Sequence, residues 1–291
     1  MRYHITHTTR YRYSAPVRLK PHLLRLCPRS DGAQWLNTFD IALSPGPTRQ
    51  SYLLEADGNT CLQVTFDAPL DAWQITTTSE VTTTRDNPFD YLFESWAVEF
   101  PIDYPSALAA QLRPYLEVPL GWGVDAAIAP EVLALARSIQ QSTNYNVGYF
   151  LTQLTQLIPN KHQYQQRLEG MPQSPAITLA QGAGTCRDFA VLFMAVCRSL
   201  GLAARFVSGY QEGDLESTEV NHDLHAWVEV YVPGGGWRGF DPTLGLVVAD
   251  RHVAIAAAIN PKQAAPVSGT LFPGLVVETT LESGIRLKVI E

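Results

Sequence analysis

Apolar positions along this chain change their period twice, and the changes divide it into three stretches. Up to residue 84 they alternate: Tyr3, Ile5, His7, Thr9, Tyr11 and Tyr13 take every second place, and β-branched or aromatic runs follow at 19–27, 35–43, 50–55, 60–66 and 73–84. A period of two is that of a strand with one buried face. Asp57-Gly58, between two of these runs, marks a tight hairpin turn. The expectation for residues 1–84 is a small all-β, sandwich-like domain.

Prolines break the pattern from 85 to 128 (Pro88, Pro101, Pro105, Pro114, Pro119), leaving one short helical piece at 106–113. The same stretch carries Phe89, Tyr91, Phe93, Trp96, Phe100 and Tyr104, so it reads as a linker that packs. Helical spacing returns at 131–141, behind Pro130 at the first-turn position, and again at 149–158. Ser174-Pro175 opens a further short helix towards Gln181.

The most sharply patterned segment comes next. After Gly182, Gly184 and the capping-type Thr185, residues Phe189, Leu192, Phe193, Val196 and Leu200 share one helical face, and Gly201 stops the helix. Cys186 stands in its first turn, where unpaired N–H groups and the positive end of the helix dipole favour a thiolate. Strand signals resume at 203–211, 225–232 and 236–241, the last two joined by a Pro-Gly-Gly-Gly turn. Two more runs, at 252–259 and 275–289, are expected to finish the β structure of a catalytic domain spanning 129–291. A helix packed on an antiparallel sheet makes that domain α+β.

His225 opens one arm of the hairpin and Asp241 closes the other. Because side chains alternate along strands, the two share a face only if paired residue numbers have an even sum. A three-residue loop, Pro233–Gly235, pairs Val232 with Gly236 and meets that condition. Thiol, imidazole and carboxylate are the parts of an activated nucleophile, its base and the group that orients the base. Gln181, upstream of the cysteine, is a candidate oxyanion holder. Trp227 is a candidate substrate contact, as are Glu216 and Glu219 in the acidic 212–223 loop, which suits a basic substrate or an amine. A zinc site from Cys186, His222, Asp223 and His225 is disfavoured, since a loop entering a strand does not set the two imidazoles on one face. His4, His7 and His22 lack the cysteine or carboxylate partners of a metal site.

The segments GTCRDFA, RFVSGY, HAWVEVYVPGGGW and GFDPT resemble the bacterial transglutaminase-like superfamily, and weaker similarity reaches both termini. The resemblance implies a papain-like or transglutaminase-like core with Cys186 as nucleophile, His225 as base and Asp241 as the orienting acid, and no cofactor. Members include amide hydrolases, peptidases, acyl-transferring enzymes and catalytically dead relatives.

Composition narrows the partners. With 46% hydrophobic and 17% charged residues the chain of 291 residues has ample core and a sparsely charged surface. A net charge of −7 without a Lys/Arg cluster argues against nucleic acid. No apolar run has the length of a membrane span, and the N-terminal segment has no apolar signal region. Cys27, Cys61, Cys186 and Cys197 have no framework spacing, as expected of free thiols in a reducing cytoplasm. The expected activity is cysteine-dependent hydrolysis of peptide or protein carboxamides through a thioester, with water favoured over an amine as acceptor. The alternative is an inactive binding module of the same fold.

Overall fold

The alternating first stretch becomes six strands in the computed structural model, which describes residues 1–117, 129–167, 170–213, 224–273 and 277–290. They are β1 (Arg2–Val17), β2 (His22–Leu24), β3 (Gln34–Ser44), β4 (Arg49–Leu54), β5 (Thr60–Thr65) and β6 (Leu70–Thr83). Tyr3, Ile5, Leu24, Val64, Trp73, Ile75 and Val81 fill the core between the two sheets they build. His7 is buried beside the Tyr210 hydroxyl (3.1 Å), and burial lowers its pKa to about 4.

The linker packs unevenly: Phe100 and Tyr104 are buried, whereas Phe89 and Leu92 stay exposed. Its helix, α1 (Ser106–Leu116), is followed by α2 (Pro130–Ser142) and α3 (Val147–Lys161). Asn146 caps α3 by accepting from Tyr149 N at 2.9 Å, which starts that helix two residues before the apolar spacing does. Then come β7 (Gln163–Tyr164), α4 (Pro175–Gln181), β8 (Ala183–Gly184) and α5 (Cys186–Ser199). The rest is strand: β9 (Ala204–Gln211), β10 (His225–Val232), β11 (Gly236–Asp241), β12 (Leu246–Val247), β13 (His252–Ala258), β14 (Val267–Ser268) and β15 (Thr279–Val289).

An antiparallel sheet ordered β12-β11-β10-β9-β13 carries α5 on one face. Phe189, Leu192, Phe193 and Val196 of the helix pack on Val228, Val230 and Phe240, with Phe193 stacked on Phe240 at 5.8 Å between ring centres. The hairpin loop has the three-residue form: Val232 pairs with Gly236 and Val228 with Phe240. Gly234 holds a φ of 89° there, a conformation in which a Cβ would be strained.

One boundary differs from expectation. Of the tail, only β13 joins the catalytic sheet; β14 pairs with β2 and β15 pairs with β1 along Tyr3–Tyr13. Each sandwich sheet is therefore four-stranded, β15-β1-β6-β3 and β14-β2-β5-β4. The alternation that marks a strand is the same whichever sheet it joins, so sequence period cannot assign the partner.

The two parts share a core, since Tyr210, Val253 and Ile255 enter the sandwich cluster. The outer edge of β13 is closed by two buried amides rather than a strand. Gln34 accepts from Ala254 N (2.7 Å) and donates to Ala254 O (2.9 Å), and Asn59 does the same for Ala257 at 2.9 Å each way. Each side chain supplies hydrogen bonds that a neighbouring strand would otherwise give, and Arg29 N also donates to Ala254 O at 2.9 Å.

Candidate active site

The start of α5 is held by its own sequence. Thr185 is the N-cap, Asp188 Oδ2 accepts from Thr185 N (2.8 Å) and Oγ1 (2.9 Å), and Asp188 N donates back to Thr185 Oγ1. This is a capping box with Asp in the fourth position. Asp188 is fully buried, and its other oxygen accepts from Gln173 N at 2.7 Å and Arg167 Nη2 at 2.8 Å. Just before the cap, β7 pairs with β8, and Gln165 N donates to Gly184 O at 2.9 Å. The backbone entering Cys186 is thus fixed from both sides. Cys186 is partly exposed, while Cys27, Cys61 and Cys197 are buried.

The imidazole meets the thiol at the start of β10. His225 Nε2 donates to Asp241 Oδ2 at 2.7 Å, and Cys186 is close enough to the same ring to raise its pKa; with Nε2 taken, Nδ1 is the nitrogen left for the sulfur. Asp241 is fully buried. Its Oδ1 accepts from Thr243 N (2.9 Å) and Leu244 N (3.2 Å), so the turn after β11 grips the carboxylate. A second imidazole shares Oδ2: His252 Nε2 lies 3.0 Å from it.

Burial works against charge on both main partners, yet the pair overrides it. Desolvation lowers the pKa of His225, but Asp241 and then Cys186 raise it to about 10. Desolvation raises that of Asp241, but His225 and His252 hold it well below the usual carboxylate range. The balance favours an imidazolium beside the sulfur once His225 has taken the thiol proton. Burial pushes Cys27 up to about 11 and raises Cys61 and Cys197 as well, so the other three thiols are suppressed.

The pair links stability to pH. An imidazole held above its unfolded value contributes fully below about pH 6.5, and that contribution is lost as pH rises towards about 10. Unfolding free energies from urea titration of the wild type should fall across this window by up to about 1.4 kcal/mol per pH unit more than those of His225→Gln. Parallel curves for the two proteins would show that the pair is not formed.

The remaining sequence candidates fare differently. Trp227 is buried, 1% exposed, with its ring edge-on to His252 at 5.2 Å; it packs behind the imidazoles and does not line an open groove. Gly209 makes room for it, because a Cβ there would strike the Trp227 ring and the Val253 carbonyl. Gln181 ends α4 exposed. Glu216, Glu219, His222 and Asp223 lie outside the described residues. Glu212, counted with the acidic loop, is instead buried and accepts from Tyr3 Oη at 2.7 Å. Two residues escaped sequence reasoning. Asp188 was visible as the end of a Thr-x-x-Asp capping signature; His252 had no such signal.

His225, Asp241 and His252 also form a cluster of the kind that binds metal, their donor atoms all within 4.8 Å of one another. Two N–H groups are already directed at one Asp241 oxygen, so the carboxylate is engaged as a hydrogen-bond acceptor.

A cysteine at the mouth of a helix, packed on an antiparallel sheet that carries its histidine and aspartate, defines the transglutaminase-like class of fold. Residues 3–82 match the bacterial transglutaminase-like N-terminal region and residues 133–242 the transglutaminase-like superfamily. The chain belongs to that superfamily. The crystal structure of a candidate cysteine protease from Cytophaga hutchinsonii superposes with a TM-score of 0.70 at 21% identity, covering 100% of this chain and 91% of that one. An uncharacterised protein of Mycobacterium leprae is 24% identical over 92% of both chains. A protein-glutamine gamma-glutamyltransferase of Pseudomonas aeruginosa is 39% identical over 66 residues, which is 21% of this chain and 10% of that protein. No helix among the described residues is long and apolar enough to cross a membrane.

Proposed function

We propose that the protein is a cysteine-dependent amide hydrolase acting on peptide or protein carboxamides, with Cys186, His225 and Asp241 as its triad. The observation that carries this reading is a single imidazole bonded at 2.7 Å to a buried carboxylate through Nε2 and near enough to Cys186, at the start of the helix, for the two to interact. His225 accepts the thiol proton, and the Cys186 sulfur attacks the carboxamide carbon. The C–N bond breaks as His225 returns the proton to the departing amine or ammonia, leaving a thioester. Water then attacks the thioester, gives a proton to His225, and releases the acid and the thiol. Asp241 holds the tautomer and stabilises the imidazolium. The Cys186 backbone N–H, at the helix start, serves as an oxyanion donor.

Water is favoured over an amine as acceptor, because transfer needs a site that holds the amine and excludes water. The acidic loop was the one candidate for such a site, and the burial of Glu212 removes one of its acids. Four free cysteines support a reducing cytoplasm as the setting.

The test is incubation with a glutamine-containing peptide library, with and without a labelled primary amine, following both mass changes. The expected result is Cys186-dependent deamidation or cleavage that outruns amine incorporation at millimolar amine. Incorporation in excess would reverse the acceptor; no Cys186-dependent change at all would remove the enzyme reading.

A further inference from the structure

His252 is the one member of the cluster without a role in the scheme above. It reaches Asp241 on β11 from β13, with β9 and β10 lying between those strands. The side chain is 4% exposed, and its Nδ1, like Trp227 Nε1, has no hydrogen-bond partner among the described residues. His252 and Trp227 line a cavity of ≈20 Å³ with Gln34, Asp31, Arg85 and Glu229. The hydrogen bond from Nε2 to the shared carboxylate oxygen is therefore the ring's polar anchor. Because that oxygen belongs to an anion, the proton of this bond sits on His252 Nε2. A core-filling side chain needs no such bond, and an apolar residue would fill the space without burying an unpartnered nitrogen.

We infer that His252 is a positioning residue that acts on His225 through Asp241: by donating to the oxygen His225 also uses, it diverts part of the carboxylate's charge from the imidazolium. The inference rests on the triad reading and refines it. An imidazolium that must protonate a leaving amine works best when it is not held too tightly. Asp241 alone, fully buried, would hold it more tightly than Asp241 shared between two rings. Among the described residues, the titratable groups facing His225 are Cys186 from α5, Asp241 from β11 and His252 from β13. Across the cavity beside His252 stand Asp31, Arg85 and Glu229.

Iodoacetate alkylation of Cys186 reads this directly. Its anion is drawn to the imidazolium, so the rate falls as that proton leaves, and the basic limb reports His225. In the wild type that limb is expected at about pH 10. His252→Leu should move it upward by about half a pH unit or more, and His252→Gln, which restores an N–H donor, should bring it back. If the leucine variant does not fold, His252→Asn, too short to reach Asp241, replaces it. A residue that only filled space would, when lost, admit water and move the limb down towards an ordinary imidazole. An unmoved or lowered limb, or a glutamine variant that behaves like leucine, would overturn the inference. If wild-type Cys186 alkylates no faster than Cys27, Cys61 and Cys197, the triad reading itself fails; a fast Cys186 with an unmoved limb removes His252 alone.

Discussion

Asp241→Asn lowers the alkylation rate of Cys186 at pH 6 by about a hundredfold or more, with the fold retained. Asparagine has the same shape and keeps an oxygen for Thr243 N and Leu244 N, which now bond Oδ1. What it lacks is the anion. With an amide opposite Nε2, His225 takes the tautomer whose proton sits on Nδ1, facing the sulfur, and cannot accept the thiol proton. Without an imidazolium beside it, the sulfur has neither a base to take its proton nor a cation to draw iodoacetate, and it reacts slowly. Turnover of any amide substrate should fall by about 10³ to 10⁴. Rates measured from pH 5 to 9, with circular dichroism to confirm folding, decide it; a variant alkylated as fast as the wild type at pH 6 would detach Asp241 from the mechanism.

The other large effect is on stability. Asp188→Ala should cost about 3–5 kcal/mol, because it removes the acceptor for Thr185 N, Thr185 Oγ1, Gln173 N and Arg167 Nη2 at once. The methyl group leaves a fully buried site in which Thr185 N and Gln173 N have lost their acceptor. Alkylation of Cys186 should slow in the same variant, since the first turn of α5 loses its cap. Urea titration gives the stability directly, and a loss below about 1 kcal/mol would mean that the donors find other acceptors.

Much of this was legible in the sequence, and the reason differs from element to element. The α5 face and Cys186 at its start followed from helical spacing, which is local. The shared face of His225 and Asp241 followed from the parity of a three-residue loop, which is also local, and Val232 does pair with Gly236. His252 was invisible because its contact with Asp241 crosses strands that come earlier in the chain, and it opens a run, HVAIAAA, whose seven residues are all buried and show no alternation. Trp227 misled for the opposite reason: a tryptophan beside a reactive histidine suggests a substrate platform, and only Gly209 across the ladder reveals the pocket that swallows it. Glu212 looked solvated among other acids, yet Tyr3, 209 residues away, claims it.

The pairing of β15 with β1 makes the sandwich a frame around the catalytic segment: its first six strands are made before that segment and its last two after it. A ribosome that has released the cysteine helix and its hairpin still holds a frame with two sheet edges open. Neither part can be excised by a single cut, so a gene fusion or truncation that removes residues 279–289 strips the frame at the opposite end of the chain. Grafting this chemistry onto another protein would mean moving the frame with it, or replacing the edge-closing amides of Gln34 and Asn59 by some other cover for β13.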